Sequence, residues 1–231
     1  MLKDSESKLS RLWDQSLNLC YNTLQKHFQF NKTVGSFGQQ SLCSSKHQKS
    51  YQKAMTCTLY LIRHGIATER QSDADDTLRP LTSEGMHKTR AVAERLYKLG
   101  LRFSHFQVSP LVRAQQTAVI FAEVFGATSS KGSLICETRA ELAPEGNFDI
   151  WLAWFAQWHA QHMAAGNKPP SLGLIGHEPD LSSWAEALLW GEVRGVLALK
   201  KAGIIGLTLP TEPPYIGQGI LFLLAPPKLI S

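Results

Sequence analysis

No apolar run in this sequence approaches the ~20 residues a membrane-spanning helix needs; the longest, Gly219–Ala225, is strand-sized. No apolar stretch follows Met1 either, so a secretory signal is not expected. Cysteine is scarce: Cys20, Cys43, Cys57 and Cys136 form no CxxC pair and no zinc spacing. A disulfide framework and a structural zinc site are thereby excluded. Cys57 and Cys136 lie in strand-like runs and read as buried free thiols in a reducing, cytoplasmic compartment. Net charge is missing from most of the chain as well. Residues 1–54 hold eight Lys or Arg against three Asp or Glu, and the other 177 residues hold sixteen of each sign. The basic pI near 9.0 thus belongs to the first segment, and neither a nucleic-acid nor a membrane partner is expected for the rest.

What is present divides the chain in two. Residues 1–54 are Ser-, Gln- and Lys-rich, with room for one short amphipathic helix in LSRLWDQSLNLCYNTLQ. They read as an extension that is disordered or lies upstream of the true start at Met55. Residues 55–231 read as one domain. Its β-type runs are Cys57–Ile62, Phe106–Ser109, Ser133–Glu137, Ser171–Ile175, Ala202–Leu209 and Ile220–Ala225. Helical patterns follow several of them, from Thr82 to about Leu99, Leu111–Phe125, Phe148–Met163 and Leu181–Trp190. Strands alternating with helices predict an α/β domain with a mainly parallel central sheet and helices on both faces.

Three strand ends carry unusual residues: Arg63-His64-Gly65, then Ser109-Pro-Leu-Val-Arg113, then Gly176-His177-Glu178-Pro179. Ligands of open α/β sheets bind beyond the carboxyl ends of the strands. Parallel strands would therefore bring two Arg and two His to one crevice. Two guanidinium forks suit the oxygens of a phosphoryl group, and the helix after Pro110 adds backbone donors. One imidazole can attack phosphorus while the other donates to an oxygen. No metal or cofactor is expected, because these side chains supply the positive charge.

Other polar residues have plainer readings. Ser109 shapes the turn, with no base expected beside it. Glu178 can orient His177 or sit at a helix start. His159 and His162, at i, i+3, fit a metal pair or, more simply, a solvated helix face. Trp151, Phe155 and Trp158 form a core stripe or a groove wall.

In this order, LYLIRHG, LTSEG, VSPLVRAQQTA and LIGHEPDLS resemble the histidine phosphatase superfamily, over residues 56–227. The compact length and ELAPEGN loop are most similar to small bacterial phosphohistidine phosphatases of the SixA type. The resemblance implies a phosphoglycerate mutase-like fold. It implies that His64 is the nucleophile and that Arg63, Arg113 and His177 bind the phosphoryl oxygens, with His177 completing the catalytic pocket. A backbone carbonyl would fix the His64 tautomer. Mutase-like members use a carboxylate as general acid; here Glu141 and Glu145 are the candidates, and Asn147 stands where an Asp is expected. The implied substrate is phosphohistidine on a protein, such as a histidine phosphotransfer domain in signal transduction. The alternatives are a small-molecule phosphomonoesterase or mutase-like enzyme, and a non-catalytic phosphohistidine-binding module.

Overall fold

Burial alternates along the first strand and places a core on each side of it. A computed structural model describes residues 55–70, 72, 75–126, 134–167 and 170–230. In it β1 spans Met55–Arg63. Cys57, Leu59 and Leu61 enter one core and Tyr60 and Ile62 the other, as the two-residue period of a strand requires. The remaining strands are β2 His105–Val108, β3 Ile135–Thr138, β4 Ser171–Gly176, β5 Ile204–Pro210 and β6 Ile220–Ala225. Their order is β3-β2-β4-β1-β5-β6. The first four are parallel, and β5 and β6 close the sheet antiparallel.

Helix α1 (Ser83–Lys98) starts where Thr82 accepts the Gly85 N–H at 2.9 Å, a side-chain cap of the usual kind. It stops before Gly100, whose φ of 90° suits a residue without Cβ. With α2 (Val112–Gly126) it covers the Tyr60/Ile62 face through Val92, Leu96, Ala118 and Phe121. On the opposite face lie α3 (Phe148–Ala164) and α4 (Asp180–Trp190), which contribute Trp151, Phe155, Leu181, Trp184 and Leu188. The predicted α/β sandwich is therefore the observed one. Among the described residues no helix is long and apolar enough to cross a membrane.

Two expectations are corrected. Cys57 is buried, but Cys136 is exposed, because β3 is an edge strand whose four residues all face solvent. His159 is fully buried rather than solvated. It continues the Trp151–Phe155 row at four-residue spacing, stacks on Phe155 at 5.5 Å and lies 3.2 Å from the Tyr215 hydroxyl. The short helix and the extension expected within residues 1–54 lie outside the described residues.

Register aligns the ends that matter. Arg63 pairs with Gly176 and Val108 with Ile175. The next residues continue the ladder, with the His64 N–H on the Gly176 carbonyl and the Ser109 N–H on the Ile175 carbonyl. His64, Ser109 and His177 thus leave the sheet at one level.

Candidate active site

His64 is 5% exposed, and its Nδ1 lies 2.7 Å from the Gly65 carbonyl oxygen. A carbonyl only accepts, so Nδ1 carries the proton and Nε2 keeps its lone pair. Gly65 is required for space. A Cβ there would sit 2.3 Å from Thr89 Oγ1, and the Gly65 N–H donates to Thr117 Oγ1 at 3.0 Å. Thr117 in turn donates to the Arg113 carbonyl at 2.8 Å, which ties the nucleophile turn to the first turns of α2.

The second imidazole, His177, faces the first at 5.0 Å between ring centroids. Its Nε2 is 2.8 Å from Ser109 Oγ, so the expectation that no base stands beside Ser109 is corrected. Ser109 Oγ also accepts the Leu111 N–H at 3.3 Å. The Ser109 hydroxyl thereby holds the His177 ring in place through Nε2. Glu178 does not orient His177. Its carboxylate accepts from the Ser182 hydroxyl at 2.8 Å and from the Leu199 N–H at 3.4 Å.

Both arginines are held by their outer nitrogens. Arg63 donates Nη1–H to the Leu199 carbonyl at 2.7 Å. Arg113, 3% exposed, donates to the Asp76 carbonyl at 2.7 Å and to the Asp76 carboxylate at 3.0 Å. The Nε–H groups of Arg63 and Arg113 are buried without a hydrogen-bond partner. A buried, charged donor left unpaired is costly, so these two donors are suited to binding an anion. Asp76 also accepts Arg79 Nε at 2.9 Å; against its partial burial, the Arg113 and Arg79 charges hold its carboxyl below the usual range. Reading residues 68–80 as a polar loop missed this anchor. Only the tertiary contact with α2 distinguishes Asp76 from Asp75, which caps its own turn through Thr77.

The field in the pocket is strongly positive. Burial, the neighbouring His177 and the Arg113 and Arg63 charges push His64 down to about 3, against the pull of the Gly65 carbonyl. Burial and Arg113 push His177 down to about 4, partly offset by Asp76. Both rings are therefore neutral in the folded protein and titrate near 6.5 when unfolded. A depressed folded value means stability is complete above pH 6.5 and is lost as pH falls toward 4 and then 3. The urea midpoint is expected to drop between pH 7 and pH 4.5, with a shallower drop in His64→Asn. An identical drop in that variant would contradict the assignment.

The two candidate acids lie on the loop after β3, where Leu142 packs against Gly176, the residue before His177. Glu141 lies in the 3-10 turn Ala140–Leu142, and Glu145 is exposed with its N–H on the Asp180 carboxylate at 3.0 Å. Asp76 acts electrostatically on His177. Asn147 has a structural duty: its side-chain oxygen accepts the Ile150 N–H at 3.0 Å and caps α3. Among the described residues no group of three His, Cys, Asp or Glu is placed to hold a metal ion.

Residues 59–171 match the family model of the histidine phosphatase superfamily, branch 1. An uncharacterised protein of Picosynechococcus is 44% identical over 149 residues, covering 64% of this chain and 83% of that one. The phosphohistidine phosphatase SixA of Escherichia coli is 28% identical over 119 residues, 52% of this chain and 70% of that one. The solved structure of the protein histidine phosphatase SixA with tungstate superposes with a TM-score of 0.62 at 22% identity, over 75% of this chain and 99% of that one. With its RHG strand end, its SPLVRAQQTA helix start and its second strand-end histidine all on the carboxyl edge of this sheet, the chain belongs to the histidine phosphatase superfamily.

Proposed function

We propose that the chain hydrolyses phosphohistidine on a partner protein, such as a histidine phosphotransfer domain, through a phosphohistidine formed on His64. One observation carries the reading. Beside an imidazole whose Nε2 lone pair is free, two buried guanidinium Nε–H groups have no partner. Nε2 of His64 attacks phosphorus, the bond from phosphorus to the substrate nitrogen breaks, and the substrate imidazole departs neutral if its far nitrogen is protonated. Water then attacks the phosphoryl group on His64, releasing phosphate and restoring the imidazole. Arg63, Arg113 and His177 hold the phosphoryl oxygens in both steps. Their charge and donors are in place before the reaction, which is where such sites derive most of their rate.

The choice of phosphoramidate over ester rests on what each leaving group needs. An alkoxide leaving group needs a proton donor, whose contribution is typically about 10²–10⁴-fold. Asp76, a carboxylate that acts on His177, is ionised and committed to Arg113 and Arg79, and Glu141 and Glu145 carry no fixed motif for a donor. The names of the SixA relatives support the same substrate class.

The test is a side-by-side comparison of kcat/KM for a phosphohistidine peptide, phosphoglycerate, sugar phosphates and p-nitrophenyl phosphate. Phosphohistidine is expected to exceed the alkyl phosphates by well over tenfold, and Glu141→Gln and Glu145→Gln to stay within about tenfold of wild type, below the general-acid range. Brisk turnover of alkyl phosphates that either variant abolishes would replace this reading with the phosphomonoesterase or mutase.

A further inference from the structure

The turn entering β5 is bonded to the nucleophile strand. The Ala202 N–H donates to the carbonyls of both Arg63 and His64, at 3.2 and 3.1 Å, and the Arg63 N–H donates to the Gly203 carbonyl at 3.1 Å. Ala202 has a φ of 60°, uncommon for a residue with Cβ. The Gly203 N–H closes the turn on the Lys200 carbonyl at 2.7 Å. Lys200 and Lys201 are consequently fixed one strand away from Arg63 and His64, and both are exposed. Among the described residues neither has a carboxylate within ion-pair distance, whereas Lys88, Arg79, Arg90, Arg139 and Arg194 each have one. The preceding loop is itself anchored. Glu186 is buried and accepts the N–H groups of Arg194, Gly195, Val196 and Leu197 at 2.5–2.6 Å. Leu199 is pinned between Glu178 and Arg63. The lysines thus project from a braced turn.

We propose that Lys200 and Lys201 form a rim that selects phosphorylated protein segments flanked by acidic residues. The magnitude of exposed ion pairs decides between a small and a large ligand. Each is worth roughly a two- to five-fold change in affinity, too little to capture a small dianion. Two such pairs on a multivalent acidic surface still bias encounter and orientation, which is the usual role of rim charges. The rim rests on the phosphohistidine reading above and adds to it the sign of the flanking sequence.

The experiment uses the full chain and two synthetic phosphohistidine peptides, identical except that glutamates flanking the phosphorylated residue in one are glutamines in the other. At about 20 mM salt the Glu peptide is expected to have the larger kcat/KM, by about tenfold, the product of two such pairs. The ratio should shrink at about 0.5 M salt, where the screening length is only a few ångströms. It should fall to near one in Lys200→Ala/Lys201→Ala and persist in Lys200→Arg/Lys201→Arg. A wild-type ratio near one, or a ratio unchanged in the Ala double variant, overturns the rim and leaves the phosphohistidine reading standing. If neither peptide is turned over, the phosphohistidine reading fails and the rim fails with it.

Discussion

His64→Ala loses turnover by about 10⁴-fold or more, the scale seen when an activated nucleophile is removed. The expectation follows from the ring's placement at the end of β1, proton on Nδ1 and lone pair on Nε2. The fold survives. His64 gives the core no apolar packing, and its backbone N–H still reaches the Gly176 carbonyl. Circular dichroism and a melting temperature within a few degrees of wild type check that point. Near-wild-type turnover by the variant would rule out the covalent route.

Arg113→Ala lowers kcat/KM by about 10³-fold, at the upper end of the loss from removing one preorganised donor. Arg113 is almost wholly buried and held from two sides by Asp76, which leaves its Nε–H for the phosphoryl group. Lysine does not restore the rate. Its ammonium is a point charge that cannot bond the Asp76 carbonyl and carboxylate and also present a third fixed donor. Arg113→Lys is therefore expected within about tenfold of Arg113→Ala. Recovery to near wild type in Arg113→Lys would show that charge alone suffices at this position.

These expectations rest on parts that were legible in the sequence to different degrees. The central strands were readable because β1 and β4 are covered on both faces and so appear as continuous apolar runs. Helix starts were readable where a short polar side chain caps its own helix, as Thr82 does. The four charged or imidazole side chains were readable because each follows a strand run or opens a helix. Asp76, Ser109 and Glu186 were not, since each acts through residues 37, 68 and 8–11 positions away in the chain. Periodicity carries no trace of such pairings. His159 was misplaced for a related reason: its spacing from Phe155 fits a buried row as well as a solvated face, and Tyr215, 56 positions away, supplies the polar partner that lets it be buried. Cys136 failed because edge and central strands of four residues look alike until the sheet order is known.

The central claim is that a phosphoryl group passes from a substrate histidine to His64. Its most direct test is a rapid-quench reaction with a phosphohistidine peptide carrying labelled phosphorus, followed by mapping of the label on the enzyme. The account predicts an acid-labile, base-stable label on His64 that rises and decays within a turnover and is absent from His64→Ala. Phosphate released at the full rate with no labelled enzyme, or label on any other residue, would contradict it.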